Sequence, residues 1–279
     1  MIQLDKTRIA IRERDYADIL DLALRVVRGH AVPLLLASVA GMLPLIALNA
    51  WLLWSMAEPL AAEDFWVSGE TWYMLRFLYW LGMLIVVETP LATAGITLLL
   101  GQIMFADKPD ARLMVRDLAG SLPQLFVLQV ALRAMLAPWV VTWLPLYTLW
   151  PYLNEIVLLE RNPMFRRRGA ANTLRRTWGL QSRNGNELFV RWLVSVLLGA
   201  LLVSSAWMAA YSLRGMLFGT WRLDTWAYVV LLQLAIWGWI GFFSVVRFLS
   251  YLDLRIRNEG WEIELRMRAE AARLAGQLT

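Results

Sequence analysis

The chain has 279 residues, of which 59% are hydrophobic and 18% charged, well short of the ~25% charge usual in water-soluble domains. It carries 27 basic and 22 acidic residues, one histidine and no cysteine, so disulfide scaffolds, thiolate metal sites and cysteine nucleophiles are excluded together. Whole stretches of about twenty residues run almost without charge. That pattern demands a solvent other than water, and it describes an all-α, polytopic integral membrane protein read as a single membrane domain over 1–279.

Residues 1–30 interleave Lys6, Arg8, Arg12, Arg14, Arg25 and Arg28 with Asp5, Glu13, Asp15, Asp18 and Asp21. No early apolar core leads to a cleavage site, so a secretory signal is not expected. Within this segment Tyr16, Ile19, Leu20, Ala23, Val26 and Val27 recur at helical spacing and predict an amphipathic helix on the cytoplasmic membrane surface. The first uncharged run, 31–56, is long enough to cross a hydrocarbon core ~30 Å thick and is taken as TM1. TM2, 72–105, measures roughly 50 Å at 1.5 Å per residue, with Glu88 in its middle and a kink expected near Pro90.

The apolar region 122–159 is too long for one span, and Pro138, Pro145 and Pro151 divide it. It reads as a tight hairpin of TM3 (122–137) and TM4 (139–159), whose length leaves open whether both limbs cross fully. A basic cytoplasmic segment, 160–187, precedes TM5 (188–213) and TM6 (226–249). The tail 250–279 continues TM6 as helix through Tyr251-Leu252-Asp253 to Gly260 and ends in a short amphipathic stretch.

Loop charge tests this six-helix order independently. Segments 1–30, 106–121, 160–187 and 250–279 hold 21 of the 27 basic residues, and cytoplasmic loops should hold that excess. Six crossings with both termini cytoplasmic fit; five would put Arg166-Arg167-Arg168 outside. The sixteen tryptophans cluster near the expected span ends, as interfacial anchors do.

Once Arg76, Arg191 and Arg247 are read as snorkelling to the interface, three ionisable residues remain inside the spans: Glu88, Arg133 and Glu155. Glu88 and Arg133 lie at similar depth, where a charge costs ~2.5 to 3.5 kcal/mol on insertion scales, and are expected to pair or share a polar network. Their role stays open between an interhelical clamp, a coupling carboxylate in a transport path, and a protonated Glu88 bonded to backbone. Asn154 and Glu155 form a secondary polar pair near the inner end of TM4, within reach of water or Arg161.

Arg166, Arg167, Arg168, Arg175 and Arg176 crowd the segment after TM4. They set topology and offer a patch for anionic phospholipid headgroups, each basic residue adding ~1 kcal/mol near such a surface. Nucleic acid is not an expected partner, since the patch lacks stacking aromatics; the lipid bilayer and other membrane proteins are. His30 is the single histidine, so histidine metal helices and serine–histidine chemistry find no support, and neither a cofactor, a metal site nor an enzyme is expected. Ala37-x-x-x-Gly41 and Ser195-x-x-x-Gly199 predict close-packed helix seams.

Three motifs carry a family resemblance: Ile11-Arg12-Glu13-Arg14 with Ile19-Leu20-Asp21-Leu22-Ala23; Tyr152-Leu153-Asn154-Glu155 with Glu160-Arg161-Asn162-Pro163; and the run from Tyr251-Leu252-Asp253 to Gly260. The chain resembles bacterial polytopic proteins related to the membrane domain of glycerophosphodiester phosphodiesterase. The resemblance implies a multi-helix inner-membrane protein. It does not bring the phosphodiesterase activity with it, because the chain has no room for a catalytic barrel and no matching acid and histidine ligands. The second and third motifs also echo each other, Tyr152-Leu153-Asn154 against Tyr251-Leu252-Asp253.

Overall fold

The computed structural model describes residues 15–62, 71–105, 109–142, 151–160, 173–181, 185–219, 221, 224–259 and 267. The expectations for Arg161, Arg166, Arg167 and Arg168, and for the tail beyond Glu259 other than Met267, lie outside these residues, as do 143–150 of the expected TM4. Among the described residues the chain is helical throughout, and five helices are long and apolar enough to cross a membrane: Ala31–Ala57, Thr71–Met104, Ala111–Leu136, Gly185–Phe218 and Ala227–Arg257. We number the helices α1 (Tyr16–Gly29), α2 (Ala31–Ala57), α3 (Thr71–Phe105), α4 (Ala111–Leu136), α5 (153–160), α6 (Thr173–Gln181), α7 (Gly185–Phe218) and α8 (227–259).

Helix α3 is the axis of the bundle, with 67% of its most apolar stretch buried against 11% for α7. α2 lies antiparallel to it at close range. A Cβ built on Gly41 would stand 2.3 Å from the Ala92 carbonyl oxygen, so this seam exists only because position 41 has no side chain. The buried stripe of α2, running through Leu34, Met42, Ile46, Asn49 and Leu53, turns to α3, while Val32, Leu36, Leu43 and Trp51 stay exposed, as a lipid-facing surface requires.

Helix α4 begins well before the expected boundary of 122. Asp110 caps it, its carboxylate accepting from the backbone N–H groups of Arg112 (2.9 Å) and Leu113 (3.3 Å), which satisfies donors that the first turn leaves without partners. Hydropathy alone misses such a start because Arg112, Arg116 and Asp117 occupy the first turns. The helix loosens to π geometry over Phe126–Ala131 and stops before Pro138, whose carbonyl accepts from the Tyr79 hydroxyl at 2.9 Å.

The return limb is short. After a 3-10 turn at Val140–Thr142, the chain is next described at Pro151, and α5 occupies only 153–160, so the described residues do not form the full-length TM4 helix expected over 139–159. Its position is nevertheless fixed by contacts. Asn154 meets α3 at Pro90 and Thr93, and Leu159 fills the space in front of Gly101. α4 thus ends beside the first half of α3, Ala137 packing on Val86 and the Pro138 carbonyl meeting Tyr79, and α5 ends beside the finish of α3.

Helices α7 and α8 pair antiparallel along their length, through Arg191 with Asp253, Gly199 with the Trp239 indole, and Trp207 with the Ala227 carbonyl. Both outrun the expected spans of 188–213 and 226–249, and α8 is helical through Glu259, the last described residue before the expected stop at Gly260. The apolar stripe of the amphipathic α1 packs on α8: Ile19 and Ala23 are buried in the main core with Leu249 and Leu252. At the opposite end a second apolar cluster joins Leu53, Phe77, Leu81, Tyr228 and Val229.

Candidate functional site

Pro90 sits inside α3 without an N–H to give to the carbonyl of Val86, one turn earlier. In hydrocarbon that oxygen has no water to turn to. Arg133 reaches across from α4 and donates Nη1 to it at 3.0 Å, while its Nε donates to Gln129 at 2.9 Å on its own helix. Glu88, two residues from Val86, does not meet Arg133; its Oε2 accepts from the Asn49 amide of α2 at 2.8 Å. The expected Glu88–Arg133 contact is therefore replaced by two separate ties to α3, one from each flanking helix. Glu88 does lie at the middle of α3, whereas Arg133 lies three residues before the end of α4, and depth cannot say which neighbour a helix face meets.

One turn nearer the α5 end, Thr93 forms a hub. Its hydroxyl donates to the Thr89 carbonyl and accepts from Asn154 Nδ2 at 3.3 Å and Arg247 Nη2 at 3.2 Å. Arg247 Nε bonds Glu155 Oε1 at 2.6 Å, with Glu155 wholly buried. Asn154 also donates to the Pro90 carbonyl at 3.3 Å. The secondary polar pair, Asn154 and Glu155, is thus the joint that fastens α5 to α3 and α8.

A further layer lies at the same end. Asp253 accepts from Arg191 at 3.2 Å and from Arg257, and Glu187 bridges the same two arginines at 2.5 and 3.2 Å. Glu160 accepts a two-pronged contact from Arg176 (2.9 and 3.2 Å) and a hydrogen bond from the Tyr251 hydroxyl at 2.7 Å. Arg176, expected to face lipid headgroups, is instead committed to Glu160; Arg175 belongs to α6, and its side chain lies outside what is described. The echoing motifs meet here, with the Tyr152 and Tyr251 rings 6.1 Å apart.

Arg191 and Arg247 correct the expectation that they snorkel. Arg191 is 8% exposed, and its guanidinium lies 5.8 Å over the Tyr16 ring. Tyr16 bonds Ser195 at 2.5 Å, and burial pushes its phenol above the ordinary range against the opposing influence of Ser195 and Arg191. The signal available in the sequence is the i,i+4 spacing of Glu187 with Arg191 and of Asp253 with Arg257. Tyr16, Arg191, Ser195 and Arg247 border a cavity of about 140 Å³ between α1, α7 and α8, walled by Trp192, Trp239, Ile240 and Phe243. Neither Glu88 nor Arg133 lines it.

Burial alone would raise the Glu160 carboxyl, but Arg176, Tyr251 and Arg255 outweigh it and hold its pKa below the usual range. A carboxylate depressed in the folded state stabilises fully above its unfolded value, ~4.3, and loses that contribution as pH falls through the depressed one. Thermal unfolding in mild detergent should therefore show Glu160→Gln less stable than wild type at pH 7, with the gap closing below about pH 4; a gap independent of pH contradicts the ion pair. No family model, curated protein or solved structure matches this chain.

Proposed function

We propose that this chain is a non-catalytic scaffold or assembly partner of the bacterial inner membrane, crossing six times with both termini in the cytoplasm. The observation that carries the reading is the use to which buried charge is put. The ionisable side chains buried among the described residues, Glu88, Arg133, Glu155, Arg191 and Asp253, each hold a hydrogen bond that ties one helix to another or to its own next turn. A transport path needs an acid that can change partners near an open cavity, whereas Glu88 sits against Asn49, away from the cavity. The exposed apolar faces of α2 and α7 are left for lipid and for other membrane proteins.

Six crossings are supported by the loop charge and by α5, which ends beside the finish of α3 although α4 runs away from that end. The likeness to the membrane domain of glycerophosphodiester phosphodiesterase agrees with a membrane part acting without a barrel. The ends gathered at one face are those of α1, α3, α5 and α8, and their loops carry the basic excess expected in the cytoplasm.

Single cysteines at Ser68, Thr142 and Thr220 should label with an impermeant thiol reagent in intact cells, and one at Gln181 only after the membrane is opened. Labelling of Gln181 from outside contradicts the topology. The rival reading, a transporter using Glu88, is tested with purified protein in liposomes. A potassium diffusion potential should drive no proton uptake beyond that of empty vesicles, in wild type and Glu88→Gln alike; uptake that Glu88→Gln abolishes while the protein stays folded overturns the scaffold.

A further inference from the structure

We propose that the cavity between α1, α7 and α8 is a binding site for one anionic glycerophospholipid, a phosphodiester headgroup entering at Arg191 and an acyl chain lying toward Trp239. The inference is independent of the scaffold reading, which stands or falls on flux and topology.

The first observation is the cavity's extent. Its lining on α8 runs from Trp239 to Ser250, which at 1.5 Å per residue is roughly 16 Å, about half of a ~30 Å hydrocarbon core. It therefore has the length of about one leaflet, and its Ser250 end lies one turn from Asp253. The second observation is its graded chemistry. The shallow end presents Tyr16, Arg191, Ser195 and Ser250, and the deep end Trp239, Ile240 and Phe243. Trp239 is fixed there, pressed against Gly199 and stacked on Phe243 with ring centroids 5.7 Å apart. A soluble anion has no use for such a wall, whereas an amphiphile matches both ends.

The third observation is unspent donor capacity. A guanidinium carries five N–H donors in a fixed fork. Among the described residues, Arg191 spends only Nη2, on Glu187 and Asp253. Arg247 spends Nε on Glu155 and Nη2 on Thr93. Both arginines border the cavity, and the Arg191 side chain is only 9% exposed, so little of it is left to bulk water. Donors held in an apolar setting are costly until an acceptor arrives, and a phosphodiester offers two charged oxygens to such a fork.

A phosphodiester headgroup without an ammonium leaves its negative charge to Arg191 and Arg247, which border the cavity, whereas a zwitterionic headgroup brings its own counter-charge. The volume of about 140 Å³ is too small for a whole lipid. It takes the headgroup end and the top of one chain, and the rest lies along the apolar strip of Val190, Val194 and Leu197 that α7 exposes beside it.

The test uses the full chain, delipidated in mild detergent, with phosphatidylglycerol, phosphatidylcholine of the same chains, or inorganic phosphate added, read by native mass spectrometry and by thermal shift. Phosphatidylglycerol should bind as one adduct roughly tenfold tighter than phosphatidylcholine, a difference of about 1.4 kcal/mol. Ile240→Trp fills the deep end without touching any ion pair, and should weaken phosphatidylglycerol at least tenfold while leaving lipid-free stability equal or higher. Arg191→Gln should remove the preference between the two lipids; if that variant fails to fold, Ile240→Trp alone decides. Equal binding of both lipids, or undiminished binding by Ile240→Trp, overturns the proposal. Displacement of phosphatidylglycerol by inorganic phosphate at equal concentration also overturns it, since the site would then read a free anion rather than a lipid.

Discussion

A proline in the middle of a membrane helix leaves one carbonyl without its donor, and hydrocarbon cannot supply another. Arg133 answering the Val86 carbonyl meets that requirement in the most deeply buried helix of the protein. The arrangement solves two problems with one contact. The arginine, expensive at mid-membrane by itself, is spent on an oxygen that is equally expensive to leave bare, and α4 is fastened to α3 at the same point. Asn49 does the corresponding work for Glu88 from α2, so α3 is gripped from both sides within three residues.

From this point toward the end where α5 and α8 finish, the bundle becomes progressively more ionic. Thr93 gathers Asn154 and Arg247, Glu155 holds Arg247, and the outermost layer sets Asp253, Glu187 and Glu160 against arginines from three helices. The opposite end is held differently, by the apolar cluster around Leu53, Phe77 and Tyr228 and by edge-to-face contacts such as Phe77–Tyr228. Removing one partner of a buried ion pair typically costs more than the pair contributes, so the ionic end specifies which helices meet, while the apolar end supplies area. The cavity lies where the two regimes adjoin, against the peripheral α7, and α1 covers its shallow mouth through Tyr16.

Much of the architecture is legible in residue order. Apolar runs with little or no charge mark the helices near 31–56, 72–105, 188–213 and 226–249, and Gly41 and Gly199 lie at seams as their spacing implies. Depth along those runs marks Glu88 and Arg133 as unusual. What order cannot supply is azimuth. Arg191 and Arg247 sit close enough to helix ends to snorkel, and only the packing of α7 on α8, and of α5 between α3 and α8, turns them inward to carboxylates more than sixty positions away. Arg176 reads as lipid-facing for the same reason, since its partner Glu160 lies sixteen positions away. The start of α4 escapes hydropathy because a capping aspartate acts through backbone N–H groups, which hydropathy does not register. The echo between Tyr152-Leu153-Asn154 and Tyr251-Leu252-Asp253 carries more structural meaning than its length suggests, as the two tyrosines pack together.

The central claim is that Arg133 stabilises the fold by satisfying the carbonyl that Pro90 strands. Pro90→Ala returns an N–H to that position, so a double-mutant cycle of Pro90→Ala with Arg133→Met, followed by thermal or denaturant unfolding in detergent, isolates the interaction. Arg133→Met should cost about 1–3 kcal/mol more in the wild-type background than in the Pro90→Ala background, the penalty of one unsatisfied buried carbonyl. An identical cost in both backgrounds would show that Arg133 acts elsewhere and would contradict the account.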